Sequence, residues 1–217
     1  MARELGLISC AEMVQAFLDD RKSETRRIEG LKVLSEHPSW WKFLGWTNPK
    51  HGVEARFYNS RQRKTEAIKP RYQVGDHLWI RETHFYDKND QVPEVFYRAD
   101  FSDADAKGAF SDVGDKWISP YFMPKRAARI WREVAAIKDP HRLQDISPEE
   151  CIAEGIEVST AHGEPAYYLY DERLHYTPSP VESFQTLWDR LHPEPGERWG
   201  DNPWVLPYVL KIQEKPI

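Results

Sequence analysis

The sequence predicts an α+β fold, a small mixed β-barrel flanked by helices. Three observations carry this. Several short runs alternate apolar and polar residues and are bounded by Gly, Pro, Asn and Asp. Few segments read as helices. Neither an internal repeat nor a low-complexity linker interrupts them, so residues 1–217 read as a single domain with additions at about 28–68, 84–123 and 157–180.

Residues 8–20 read as the first helix. Ser9 is its expected cap, Glu12 stands in the capping-box position, and Met13, Val14, Phe17 and Leu18 share one face. RKSETRR at 21–27 breaks that period and is expected to turn into a strand. Residues 28–68 look irregular, with one short helix. Gly75-Asp76 marks a turn, and Leu78 and Ile80 then alternate with Trp79 and Arg81 as in a strand. Residues 95–99 and 127–137 are further strands, and 100–116 is a polar loop. Ser147-Pro148 starts a short helix that stops at Gly155. Residues 159–180 read as a loop, and 180–191 as an amphipathic helix through Val181, Phe184, Leu187, Trp188 and Leu191. Residues 203–213 form a closing strand, in which Pro207 implies an edge or a bulge.

Composition narrows the chemistry. A chain of 217 residues with 40% hydrophobic content builds a core without disulfides. Cys10 and Cys151 are too few for a disulfide framework or a zinc site and fit a reducing cytoplasm. The eight His are dispersed without HxxxH pairing, so neither a metal nor another cofactor is expected. The N-terminal residues lack a signal-peptide pattern, and no run approaches the ~20 apolar residues of a membrane span. Net charge is −5, yet residues 1–82 hold 15 Lys/Arg against 11 Asp/Glu, while 83–217 hold 15 against 24. A phosphate-binding surface is therefore expected to draw on the first third.

The blocks DRKSETRR, YQVGDHLWIRET, FYRAD, FMPKRAARI, LQDISPEECIAEGI and NPWV occur in this order. Together they resemble the ASCH family, a branch of the PUA-like fold, and are most similar to its phage and prophage forms. The resemblance implies a basic cleft that holds a nucleic acid or a modified nucleoside. One member of that family is an amidohydrolase of N4-acetylcytidine. Its pattern of a Lys and a Thr after the first helix, with a Glu in the late helix, falls here on Lys22, Thr25 and Glu154. Arg27 takes the place of a further basic residue.

The resemblance thus implies either binding or hydrolysis, as amidohydrolase or ribonuclease, in one cleft. In the hydrolytic reading Thr25 is the nucleophile, Lys22 its base and Glu154 a proton shuttle or orienting group. Arg21, Arg26, Arg27, Arg71, Trp79, Arg81, Arg126 and Arg129 are the candidate nucleic-acid contacts. A third reading is a phage-encoded interaction module whose acidic second half meets a protein partner.

Other features have two readings each. Trp40, Trp41 and Trp46 are a base-stacking platform or a satellite core. Arg61, Arg63, Lys64, Lys69 and Arg71 track phosphates or are simply solvated. Tyr167, Tyr168 and Tyr170 touch a ligand or pack. Cys151 is expected to be a buried helix residue rather than a nucleophile. The additions at 28–68, 84–123 and 157–180 favour a larger, polymeric ligand over a small nucleoside.

Overall fold

A computed structural model of the chain describes residues 2–48, 52–86, 94–102, 105, 116–160, 163–171 and 175–215. In chain order the elements are β1 (Glu4–Ile8), α1 (Ala11–Leu18), β2 (Glu24–Arg27), α2 (Lys32–Ser35), β3 (Trp41–Thr47), β4 (Glu54–Asn59), β5 (Lys64–Ile68), β6 (His77–Arg81), β7 (His84–Tyr86) and β8 (Val95–Tyr97). There follow β9 (Trp131–Ile137), β10 (His141–Arg142), α3 (Pro148–Ala153), β11 (Val158–Ser159), β12 (Ala166–Tyr168), β13 (Tyr176–Thr177), α4 (Pro180–Leu191) and β14 (Trp204–Gln213). The fold is mixed α+β. A six-stranded sheet curls into a half-barrel, accompanied by these four helices among the described residues.

The main sheet runs β1-β6-β9-β14, with β10 succeeding β9 along one flank of β14 and β2 on the other. β1 lies parallel to β6 and the remaining pairs are antiparallel. Alternation on β6 sends Leu78 and Ile80 inward, where they meet Leu7, Val134, Tyr208 and Leu210. Tyr72 packs edge-on against Tyr208, with ring centroids 5.2 Å apart. A second core joins Met13 and Ala16 of α1 to Cys151 of α3 and to Phe184, Leu187 and Trp188 of α4. Helix α1 is thus a wedge. Val14 and Phe17 face the sheet, while Met13 and Ala16 face the other helices.

Several expectations need correction. The first helix begins at Ala11, because residues 4–8 pair with β6 as a strand, a long-range contact invisible to local periodicity. Cys10 holds the cap position without a side-chain cap bond, and the Ser9 amide donates to the Arg81 carbonyl instead. Residues 28–68 are not irregular: beyond α2 they form the three-stranded sheet β3-β4-β5. Its tryptophans are structural. Trp41 is buried in the main core, Trp40 and Trp46 pack against it, and the Trp46 indole donates to Asp139 at 2.6 Å. The span 159–180 likewise holds β12 and β13, which pair with each other, and β12 also pairs with β11. There the Tyr168 ring packs edge-on against Tyr170 and Tyr176.

Pro207 lies in a central strand, not at an edge, and the irregularity of that strand falls between Val209 and Leu210. The Pro207 carbonyl accepts from Lys138 N–H, so the donor it lacks falls at the break between β9 and β10. In the 100–116 loop, residues 103–104 and 106–115 lie outside the described residues. The segments at 95–97, 131–137, 148–153, 180–191 and 204–213 have the predicted type. Their periodicity and caps are local. Ser147 and Glu150 complete a capping box, and the Ser179 hydroxyl accepts from Glu182 N–H.

The turn before β6 rests on Asp76. Its buried carboxylate accepts from Gln73 N–H at 2.7 Å and from Arg3 Nε at 3.0 Å, while Gly75 supplies a φ of +85°. Replacing Asp76→Ala leaves these donors unmatched and is expected to cost about 1–3 kcal/mol. Urea denaturation checks this as a lower midpoint at unchanged m-value.

Candidate functional site

The site grows from the turn after α1. Arg21 and Lys22 both donate their amides to the Ala16 carbonyl, at 2.9 and 3.0 Å. Ser23 N–H then reaches the Ala153 carbonyl of α3, and Ser23 O accepts from Leu210 of β14. These bonds pin the turn between the end of α3 and the central strand. Gly155 makes the approach feasible. Its φ is +90°, and a Cβ there would lie 2.8 Å from the Cβ atoms of both Ala16 and Lys22. Only glycine meets both demands.

The clamp brings together groups 132 positions apart in sequence. Lys22 Nζ donates to Glu154 Oε2 at 2.7 Å and to the Glu154 carbonyl at 2.6 Å. Arg26 Nη1 donates to Glu154 Oε1 at 3.1 Å, and its Nη2 lies 2.8 Å from Glu150 Oε2. Lys138 continues the chain to Glu150 and Glu24. Lys22, Arg26 and Glu154 are each buried. Lys22, Arg26 and Lys138 thus face Glu24, Glu150 and Glu154, and the network is neutral.

Burial drives the Lys22 ammonium below its ordinary pKa, against the pull of Glu154. Burial pushes the Glu154 carboxyl up, but Lys22 and Arg26 outweigh it and hold Glu154 below the ordinary carboxylate value. Glu150 behaves alike. Desolvation is overcome by Lys138, the Ser147 amide and Arg26, and its pKa falls to about 2.

Beside this network opens a cavity of about 540 Å³. Lys22, Thr25, Arg26, Arg27, Glu29 and Glu154 line its polar part. Met13, Phe184, Leu187, Trp188 and Leu191 supply an apolar lining, and Ile8, Ser9, Cys10 and Pro120 border it as well. His192, also in the lining, stacks on Trp188 at 3.9 Å, and burial keeps its pKa below the ordinary value. Among the described residues no hydrogen bond joins the Thr25 hydroxyl to Lys22 or Glu154, although all three line the cavity.

Of the residues singled out in the sequence, the cavity gathers Lys22, Thr25, Glu154, Arg26 and Arg27. Arg21 faces away from it, bonded to Asp19 and to the Gly155 and Ile156 carbonyls. Arg71 sits 3.8 Å from Glu29 and over the Tyr72 ring. Arg129 is locked by Glu82 and Asp100 over the Tyr97 ring. Trp79 packs against the cluster of Met123, Ala127, Ala128 and Trp131. Arg81 donates to the Pro120 carbonyl, and Arg126 stands on the surface. Cys151 is fully buried, and desolvation pushes its thiol up to about 12.

Sequence reasoning missed Cys10, His192 and the part that α4 plays in the wall. The amphipathic pattern of 180–191 marks a buried face without revealing that part of it borders a cavity. Among the described residues, no group of three or more His, Cys, Asp or Glu is placed to hold a metal ion, and no helix is long and apolar enough to cross a membrane.

Two outcomes test the clamp. Gly155→Ala forces a Cβ onto Lys22 and Ala16 at a positive φ, so it is expected to destabilise by more than about 1 kcal/mol, read as a lower Tm. The second concerns acid. Glu150 and Glu154 have folded pKa values below the ordinary 4.5, so their stabilisation is complete above that pH and is lost as pH falls towards about 2. Denaturation midpoints measured from pH 6 to pH 2 are expected to drop through this window, and Glu150→Gln is expected to flatten the drop.

No family model, curated protein or solved structure matches the chain.

Proposed function

We propose that the cavity binds a single nucleobase or nucleoside carrying an N-acyl group, and that Lys22, Thr25 and Glu154 hydrolyse its amide. The observation that carries this reading is the 2.7 Å contact between Lys22 and Glu154 in the wall of a cavity that Thr25 also lines. The ASCH resemblance of the sequence agrees with it. A volume of about 540 Å³ lies in the range of small-molecule sites.

The electrostatics favour a small ligand over a strand threaded through the cavity. The Lys22, Arg26 and Lys138 charges are spent on Glu24, Glu150 and Glu154, and Arg27 shares the lining with Glu29. A polyanion needs unpaired cations, and this pocket has few.

The chemistry follows from the groups present. Desolvation eases loss of one Lys22 ammonium proton to bulk water through the cavity before turnover, and the neutral amine then takes the Thr25 hydroxyl proton as the oxygen attacks the acyl carbon. The carbonyl π electrons move to oxygen, where Arg27 offsets the charge. When the tetrahedral species collapses, the C–N bond breaks and Lys22 returns the proton to the leaving amine. Water then attacks the Thr25 ester, giving a carboxylic acid and the free hydroxyl. Glu154 orients Lys22 throughout and keeps its ammonium compensated.

A second reading is binding without turnover. It is favoured by the two cations that hold the Glu154 carboxylate.

Incubation with N4-acetylcytidine, followed by chromatography of released cytidine, distinguishes the two. Under hydrolysis, Lys22→Ala and Thr25→Ala are expected to lower kcat/KM by ~10²–10⁴-fold, Thr25→Ser is expected to retain activity, and EDTA is expected to change nothing. Binding of N4-acetylcytidine without release of cytidine selects the second reading. Failure of wild type to bind or cleave the nucleoside overturns both.

A further inference from the structure

The rim of the cavity carries a feature that the proposed hydrolysis does not use. Pro120 belongs to the cavity lining, and the next two residues, Tyr121 and Phe122, are 66% and 69% exposed. Their rings meet edge-on at 5.3 Å. Large aromatics are normally drawn inward, so two adjacent exposed rings form an unusual surface. The Arg81 guanidinium lies 5.5 Å from the Tyr121 ring and 5.1 Å from Trp79, and it donates to the Pro120 carbonyl. The ledge is therefore anchored to β6 and held beside the cavity mouth.

Further cations follow the ledge in sequence. Lys125 and Arg126 follow shortly in sequence, and Lys215 Nζ donates to the Arg126 carbonyl at 2.9 Å. Lys125 pairs with Glu4, whereas Arg126 and Lys215 have no ion-pair partner among the described residues. Exposed π-faces beside the Arg81 guanidinium match the chemistry of single-stranded nucleic acid. Bases stack on the rings and phosphates meet the cations.

We infer that Tyr121 and Phe122 form a stacking ledge for the nucleotide next to the one in the cavity, so that the site acts on a modified base within a single strand. This deepens the cavity reading and rests on it for the identity of the base. A base turned out of its strand enters the pocket, while its neighbour stacks on the ledge outside it.

The test measures fluorescence anisotropy of the 217-residue chain with a roughly six-nucleotide RNA or DNA containing N4-acetylcytosine, alongside binding of free N4-acetylcytidine. The double variant Tyr121→Ala/Phe122→Ala is expected to bind the oligonucleotide roughly tenfold or more weakly, because each stacked base contributes about that factor. It is expected to handle the free nucleoside like wild type and to melt at the same temperature. Arg126→Ala is expected to reduce the slope of log K against log salt by about 0.7 for each phosphate that the guanidinium neutralises.

Unchanged oligonucleotide affinity in the double variant overturns the ledge as a base site and leaves its rings to a protein partner. So does wild-type protein that binds the nucleoside but no oligonucleotide. If the nucleoside is neither bound nor cleaved while the double variant still weakens oligonucleotide binding, the cavity reading fails and the ledge stands. Absence of binding to either probe overturns both.

Discussion

A buried carboxylate, Glu154, sits between the Lys22 ammonium and the Arg26 guanidinium, and the architecture around it follows from keeping that charge compensated. An isolated carboxylate inside a protein is heavily penalised, and removing one partner of a buried pair costs roughly 3–5 kcal/mol. The turn after α1, strand β2 and the end of α3 must therefore hold their positions together. Gly155 permits the contact, the Ser23–Ala153 hydrogen bond fixes its register, and Lys138 closes the network on its outer side. Apolar residues of similar volume often replace such a network without loss of stability.

The position of α1 explains why there is a cavity at all. Its two apolar faces belong to different cores, one under the half-barrel sheet and one against α3 and α4. The cavity opens where α1, β2 and α4 meet. Polar groups of the clamp border one part of that space, and Phe184, Leu187 and Trp188 border another. The result is an amphipathic cavity.

Charge is distributed in two tiers. Inside, Lys22, Arg26 and Lys138 meet Glu24, Glu150 and Glu154, while Arg27 has no ion-pair partner among the described residues. Outside, the Arg81 guanidinium lies 5.5 Å from the exposed Tyr121 ring. The net excess of basic residues in the first third of the chain does not by itself produce a basic cleft. Lys22 and Arg26 are absorbed by carboxylates from β2 and the α3 region, and Arg71 lies near Glu29.

The sequence alone determined the elements whose signals are local. Ser147-Pro148 and Ser179-Pro180 start α3 and α4, the Gly75-Asp76 turn leads into β6, and the apolar spacing of 180–191 marks the buried face of α4. It also singled out Lys22, Thr25 and Glu154. Tertiary structure alone decided the rest, because the deciding contacts span long stretches of chain. β1 becomes a strand only by lying beside β6, and the tryptophans of 40–46 become core residues only once β3, β4 and β5 pair. Whether a charged side chain in 21–27 faces solvent or a buried carboxylate depends on where α3 ends, more than a hundred residues later. Local periodicity reports which face of an element is apolar; it holds no record of which distant charge will meet that element once the chain has closed.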